Sequence, residues 1–316
     1  MRLTLHQLHI FRSVAEAGSI SKAAEQLHLT PPTLSIQLRQ LTEAAGMPLY
    51  EVVGRRLRLT GAGEDMLTAA RAVSEPLERL EQQLAARRGI ERGRLDIAAV
   101  STAEYFMPSL LGAFRQRHPG IEASLRILPR SALIERLDAG LDDWYLMTLP
   151  PDDRPIEQEK IGVNPLVMIA APDHPWTRAA TLDFEQIAES GFVVREPDSG
   201  TRLWTVEWLR RFNAELKPTL ELGSNEAIKQ AVAAGHGLAV ISLHAVGLEL
   251  DTGRLTLLDV PHFPAPVHWH LLQKTGRVIT PAAKAFRDHL LEAMPALDRN
   301  LMDRLAAAGQ AWPSAE

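Results

Sequence analysis

The chain has no cysteine among its 316 residues. That removes disulfides, thiolate zinc sites and cysteine nucleophiles together, and a reducing, cytoplasmic setting is the simplest expectation. No apolar run reaches the roughly eighteen residues that a membrane-spanning helix needs. The opening MRLTLHQLHIF lacks both the apolar block and the small-residue cleavage site of a secretory signal. Also missing are GxSxG, a Walker-type phosphate loop, GxGxxG after a strand, and HExxH. No enzyme class is therefore supported, and the carboxylates of DDWY and PDD read as loop residues. What remains is ordinary globular protein, 46% apolar and 23% charged, long enough for two or three domains.

The net charge of −5 taken alone argues against a nucleic-acid partner, but it is unevenly spread. Residues 1–60 hold seven cations (Arg2, Arg12, Lys22, Arg39, Arg55, Arg56, Arg58) against Glu16, Glu25, Glu43 and Glu51, a net +3 that leaves −8 for the rest. A basic head on an acidic body permits DNA binding by the head.

Three helices can be read in the first 45 residues. Leu8, Phe11, Val14 and Ala15 recur at helical spacing, Gly18 ends that helix, and Ser19 is a good N-cap for the next. Ala23, Ala24 and Leu27 form its small apolar stripe. The segment LTPPTLSIQLRQL then carries two prolines. The first N–H groups of a helix have no partner inside it, so proline, which lacks the N–H and has φ preset, suits the first turn. Thr30 is the expected N-cap of a helix running to about Ala45. Leu34, Leu38 and Leu41 point inward; Thr33, Ile36, Gln37 and Gln40 point outward. Two short helices, a tight turn and a second helix with an uncharged polar face suggest a helix-turn-helix, with a plain helical hairpin as the alternative. LYEVVGRRLRLT (49–60) reads as two strands turning at Gly54-Arg55, a basic wing whose arginines reach phosphates or a narrow minor groove.

Residues 61–88 form a long helix. Met66, Ala69/Ala70, Val73, Leu77, Leu80 and Leu84 make a near-heptad stripe whose simplest partner is the same helix of a second chain. Pro76 is expected to kink or divide it. GIERGR (89–94) reads as a linker. Beyond it strands and helices alternate, which implies a mostly parallel sheet with covering helices in two similar lobes, the last helix covering Pro281–Met294. Ligands in such folds sit at strand C-terminal ends near helix N-termini, which points to Ser101, Thr102, Thr148, Ser199, Gly200, Thr201, Arg202 and Ser242. Arg195, Arg130 and Lys229 would add charge if the ligand is phosphorylated; each reads as an exposed surface residue, and of these only Arg195 is retained as a site residue. His262, His268 and His270 have no flanking acid and are not read as a metal site. Trp204 and Trp208 read as packing.

The stretches L8-F11-V14, GSISKAAEQLHLTPPTLSIQLRQL and LYEVVGRRLRLTGAG resemble the LysR-type transcriptional regulators, and the likeness continues over about nine-tenths of the chain. The resemblance implies an N-terminal all-α winged helix-turn-helix with a long linker helix, and a C-terminal α/β two-lobed, periplasmic-binding-protein-like effector domain. It places the DNA-binding domain at 1–60, the linker helix and hinge at 61–92, the effector domain at 93–295 (lobe I about 93–163 and 267–295, lobe II about 164–266) and a tail at 296–316. It implies a homodimer or homotetramer that binds double-stranded promoter DNA, answers a small-molecule effector, and has RNA polymerase as a further partner. DNA contacts carry over to Ser19, Ser21, Pro32, Thr33, Ser35, Ile36, Gln37, Arg39, Arg55 and Arg56. No resident cofactor is implied.

STAEYFMPSLLGAFRQRHPGIE, VVREPDSGTR and ELGSNEAIKQAVAAGHGLAVIS are similar to the CbbR branch, regulators of carbon-dioxide-fixation (Calvin-cycle) operons whose effectors are phosphorylated metabolites or NADPH. Another metabolic operon with an unphosphorylated acid effector is the alternative. A solute-binding protein would explain residues 94–316 but not the head. The sequence departs from the family pattern at Thr42, Tyr50, Val52, Ile36, Pro76 and GLDDWYLMTLPP (140–151).

Overall fold

The computed structural model describes residues 3–53, 56–87, 93–178, 187 and 189–312. The chain divides into two compact units, Met1–Ile90 and Glu91–Glu316.

In the first unit, α1 (Leu5–Ala17) starts at a capping box in which Thr4 and Gln7 bond each other's backbone, and it stops at Gly18 with φ 62°. Then come α2 (Ile20–Gln26) and α3 (Pro31–Ala45). Thr30 caps α3 by accepting from the Thr33 N–H, with the two prolines in the first turn as expected. Ile10, Phe11, Val14, Ala23, Ala24, Leu34, Leu38 and Leu41 fill one core. Strands β1 (Tyr50–Val53) and β2 (Arg56–Leu59) form an antiparallel hairpin. Ser19 does occupy the N-cap of α2, but its side chain makes no capping bond.

Helix α4 (Gly61–Arg87) begins where Gly63 passes so close to Leu49 that a Cβ would lie 1.9 Å from the Leu49 carbonyl oxygen. Leu67 joins the head core, and Arg71 reaches Glu16 at 3.2 Å. Val73, Leu77, Leu80 and Leu84 are exposed along one stripe. Pro76 does not divide the helix, which runs through it unbroken.

The second unit holds a five-stranded sheet in the order β4-β3-β5-β12-β6: β3 (Gly93–Val100), β4 (Ile121–Leu128), β5 (Trp144–Met147), β6 (Ile156–Val163) and β12 (His268–Lys274). Strands β4 and β5 flank β3 in parallel, but β12 runs antiparallel to both β5 and β6. The sheet is therefore mixed, not mostly parallel. The chain comes back from the second lobe and enters between β5 and β6 against their direction. Leu95, Ile97 and Ala99 face α5 (Met107–Arg117) and α10 (Pro281–Ala307); Ala98 faces α6 (Arg130–Ala139), as strand alternation requires.

Lobe II is built on β7 (Leu166–Ala170), with β10 (Ala239–Ser242) and β11 (Thr256–Leu257) antiparallel on either side, and on the parallel pair β8 (Phe192–Val194) and β9 (Pro218–Glu221). Among the described residues its helical elements include α7 (Gly200–Arg210), α8 (Asn225–Ala233) and the short α9 (Gly247–Asp251). Leu166 and Met168 face one apolar cluster, Val167 and Ile169 the other. The lobes join where Val163 pairs His268 and the Asn164 N–H donates to the Val267 carbonyl at 2.8 Å.

The final helix does not stop at Met294. It continues through Pro295 to Ala307, so residues 296–307, expected as tail, are helical. Its first half packs Phe286, Leu290 and Met294 into lobe I; its second half packs Leu301 and Leu305 into lobe II. Two distant cores hold one helix, which is why a proline at the junction does not end it.

Candidate DNA-binding and effector sites

On α3 the three buried leucines fix which face remains outside. Pro32, Thr33, Ser35, Ile36, Arg39 and Gln40 are exposed and Gln37 is half-buried. Together they form a mostly polar strip whose apolar side chains are Pro32 and Ile36, the latter at 47% exposure. Thr33 is partly committed, because its hydroxyl shares a 2.8 Å hydrogen bond with that of Thr30. Arg39 lies 3.8 Å from Glu43 in an exposed pair, too weak to hold it from another anion. Ser21 is exposed at the start of α2 and Ser19 half-buried. Of the basic wing, Arg58 is exposed on β2; Arg55 and the Arg56 side chain lie outside the described residues.

In the second unit a cleft of about 380 Å³ opens between the lobes. Three chain turns from lobe I reach it: Val100, Ser101 and Thr102 after β3, Arg130 after β4, and Met147, Thr148 and Leu149 at the end of β5. From lobe II come Arg195 and Glu196 after β8, and Ser199, Gly200 and Thr201 at the start of α7. Seven of the nine expected residues thus line one cavity. The N-terminus of α7 faces it with the Ser199 hydroxyl making no capping bond, a favourable arrangement for an anion. Gly200 keeps the approach open, since a Cβ there would meet Thr148 Oγ1 at 3.3 Å.

Two expectations fail. Arg202 does not line the cleft: its guanidinium donates to Glu221 at 2.5 Å and to the Arg195 carbonyl at 2.8 Å. Ser242 is buried at the lobe junction, bonded to Asn164 Oδ1 at 2.5 Å. Both are spent on partners distant in sequence.

Three cations expected at the surface are not there. Arg195 is buried and bridges the lobes. It donates twice to Glu196 at 2.7 Å, to Asn225 Oδ1 at 2.7 Å, and across the cleft to Ser101 Oγ at 3.2 Å. Lys229 is buried between Glu249 (2.9 Å) and Glu226 (2.8 Å), away from the cleft. Arg130 lines the cleft, gives one N–H to the Leu149 carbonyl at 3.0 Å, and keeps a buried Nε with no partner. Burial draws the Arg130 guanidinium down from its ordinary pKa, an effect offset in part by Asp198. Asp198 accepts from the Ser131 N–H at 3.2 Å, and its hydrogen bonding to Ser131 chiefly holds its carboxyl below the usual range. The signal for Arg130 was its place: PR (129–130) ends a strand and opens a helix, as Ser101 does one strand earlier.

The three histidines noted in the sequence do not assemble a metal site; among the described residues no group of His, Asp and Glu is placed to hold an ion. Trp204 and Trp208 pack against Phe263, as expected of packing residues. No described helix is long and apolar enough to cross a membrane.

A basic head with an exposed recognition-type helix stands before a two-lobed domain with an anion-suited cleft. Comparison with known proteins decides what that combination is. Residues 5–64 match the family model for the bacterial regulatory helix-turn-helix protein, lysR family. Residues 88–295 match the LysR substrate binding domain. The chain belongs to the LysR family of transcriptional regulators. It is 43% identical over 290 residues to a RuBisCO operon transcriptional regulator of Acidithiobacillus ferrooxidans, covering 92% of this chain and 94% of that one. It is 40% identical over 287 residues to the HTH-type transcriptional activator CmpR of Synechocystis, covering 91% and 94%. Among solved structures, the regulatory domain of Synechocystis CcmR in complex with 2-PG matches at 36% identity and TM-score 0.62, over 64% of this chain and 98% of that one. Full-length CbnR complexed with its target DNA shares the fold at 22% identity and TM-score 0.65, over 92% of this chain and all of that one. The relatives are regulators of transcription, not enzymes.

Proposed function

We propose that this LysR-type regulator is a cytoplasmic activator of carbon-dioxide-fixation genes whose effector is a small phosphorylated acid held between the lobes. The observation that carries the effector class is the convergence in one cleft of Arg130, with its unpartnered Nε, the hydroxyls of Ser101, Thr102, Thr148 and Ser199, and the opening turn of α7. Guanidinium, hydroxyl and helix N-terminal N–H groups together are the chemistry of phosphate recognition. The names of the relatives support the gene class, and the 2-PG complex of CcmR supports the ligand class.

DNA recognition is assigned to residues 1–60, with α3 in the major groove. Gln37 suits an adenine edge and Ile36 a thymine methyl, while Ser35, Thr33, Arg39 and the wing position the protein on phosphates. Residues 61–92 supply the dimer contact through the exposed stripe of α4, with a dimer of dimers as the working assembly. Residues 93 onward form the periplasmic-binding-protein-like effector domain.

The test is a thermal-shift titration of full-length protein with 2-phosphoglycolate, phosphoglycerate, NADPH and unphosphorylated dicarboxylic acids. A ligand that binds only the folded state raises the melting temperature with concentration. The expected result is a rise with the small phosphorylated acids that Arg130→Gln removes. A rise only with an unphosphorylated acid would overturn the ligand class.

A further inference from the structure

Arg195 and Glu196 are consecutive residues, yet their side chains turn toward each other in a two-bond pair, both distances 2.7 Å, inside the cleft wall. The Arg195 side chain is 7% exposed and that of Glu196 24%, so the arginine is fixed in the wall while the carboxylate borders open space. Asn225 and Ser101 take further N–H groups of Arg195. Within the cleft wall this guanidinium is thus neutralised by a carboxylate of the chain itself, whereas Arg130 faces the same cavity with an unpartnered Nε.

We propose that Glu196 sets the selectivity of the cleft, admitting phosphorylated acids and rejecting carboxylates by occupying Arg195 as an internal carboxylate. The inference rests on reading the cleft as a site for a phosphorylated acid. An incoming carboxylate that displaces Glu196 from Arg195 exchanges one two-bond guanidinium–carboxylate pair for an equivalent one. It gains little there, since one pair replaces another of the same kind. A phosphate carries more charge and three acceptor oxygens. It can engage Arg195 while also reaching Arg130, a hydroxyl and the α7 N–H groups, so the exchange is favourable for phosphate. Its partial exposure gives the Glu196 carboxylate a route into water when displaced. Because Arg195 also bonds Ser101 across the cleft, the same exchange changes a contact between the lobes.

Calorimetric titration of the full-length protein with 2-phosphoglycolate and with malonate, a dicarboxylate of similar size, tests this. The wild type is expected to prefer phosphoglycolate. In Glu196→Gln the malonate affinity is expected to rise about tenfold or more, the effect of roughly 1.4 kcal/mol, and the phosphoglycolate affinity by less, so the preference shrinks. Glu196→Asp, which keeps the charge, should retain the wild-type preference, and Glu196→Ser offers a second route to removing the charge if the glutamine variant does not fold. An unchanged preference in a folded charge-removed variant, or weaker binding of both probes, would overturn the inference. If the wild type binds neither probe while Glu196→Gln binds malonate, the phosphorylated-effector reading fails and the role of Glu196 stands. If neither protein binds either probe, the role of Glu196 falls.

Discussion

Gln37 lies half-buried at the edge of the exposed face of α3, beside the buried Leu34, Leu38 and Leu41. If it reads an adenine edge, Gln37→Ala should weaken binding to the preferred operator by about 1–3 kcal/mol and relax preference at one base pair. Arg58→Ala should instead weaken binding to all sequences alike and lower the salt slope by about one. Fluorescence anisotropy on matched and mutated operators at two salt concentrations separates the two.

His244 offers a residue-scale test in the effector domain. Its Nε2 accepts from Trp269 Nε1 at 3.1 Å, and its ring lies 4.8 Å from that of Phe106. Burial pushes its pKa down from 6.5 to about 4. Between those values the unfolded chain binds a proton that the folded chain does not. The stability due to neutral His244 is therefore complete above pH 6.5 and is lost as pH falls toward 4. The melting temperature should drop from pH 7 to 5 more steeply in the wild type than in His244→Gln. Asp298 and Asp143, whose carboxyls burial raises, act in the opposite sense in both proteins, so the difference between the two isolates His244.

At this scale the outward face of α3 and most of the cleft were legible, because helical periodicity and strand-to-helix turns are local signals. The failures at Arg202, Ser242 and Lys229 have one cause. Their long-range partners Glu221, Asn164 and Glu249 lie nineteen or more residues away, and pairing at that distance leaves no mark in a single sequence; the nearer Glu226 beside Lys229 is no sign of burial on its own.

Among the elements, the long helices carry the main differences from expectation. Pro76 is expected to kink or divide its helix and the last helix is expected to stop at Met294, yet both helices run on through a proline, Pro76 and Pro295. For α10 the reason is the packing of its two halves into different lobes. The described contacts of α4 give no equivalent reason for its passage through Pro76. The second half of α10 is further tied by Arg304 to Asp251 and the Gly247 carbonyl, and by Asp298 accepting from the Val163 N–H at 3.1 Å. Leu305→Ala should therefore cost about 2–5 kcal/mol in urea unfolding of the effector domain, as for a buried core leucine. A cost near zero would mean that residues 296–307 are a dispensable appendage. The exposed stripe of α4 makes a second element-scale prediction. Leu80→Asp should shift the protein toward monomer in sedimentation velocity, because a charge in an apolar helix seam has no partner.

Strand β6 was not read in the sequence at all. IEQEKIGV is mostly polar, and its strand character comes from pairing along its length with β12, more than a hundred residues later. The same return of β12 makes the sheet mixed. Alternation of strands and helices identifies a layered α/β unit but does not reveal where a returning strand is inserted or in which direction.

For the whole molecule, the sequence divides charge as it divides labour, with an excess of cations in residues 1–60 and of acids beyond. The proposed function requires that an anion in an acidic, two-lobed domain change what a basic head does on DNA. A ligand can shift that equilibrium only by binding one arrangement better than the other. The cleft supplies a means, since its lips are already joined by Arg195 to Ser101, Asn225 to Thr102 and Asp198 to the Ser131 N–H, contacts that an anion would replace or reinforce.

The most direct test is the bend angle of a promoter fragment bound by the full-length protein, followed by energy transfer between dyes at its ends while 2-phosphoglycolate is titrated. The account predicts a saturable relaxation of the bend that Arg130→Gln abolishes without loss of DNA binding. A bend that stays constant while thermal shift reports a filled cleft would contradict the coupling of effector to DNA.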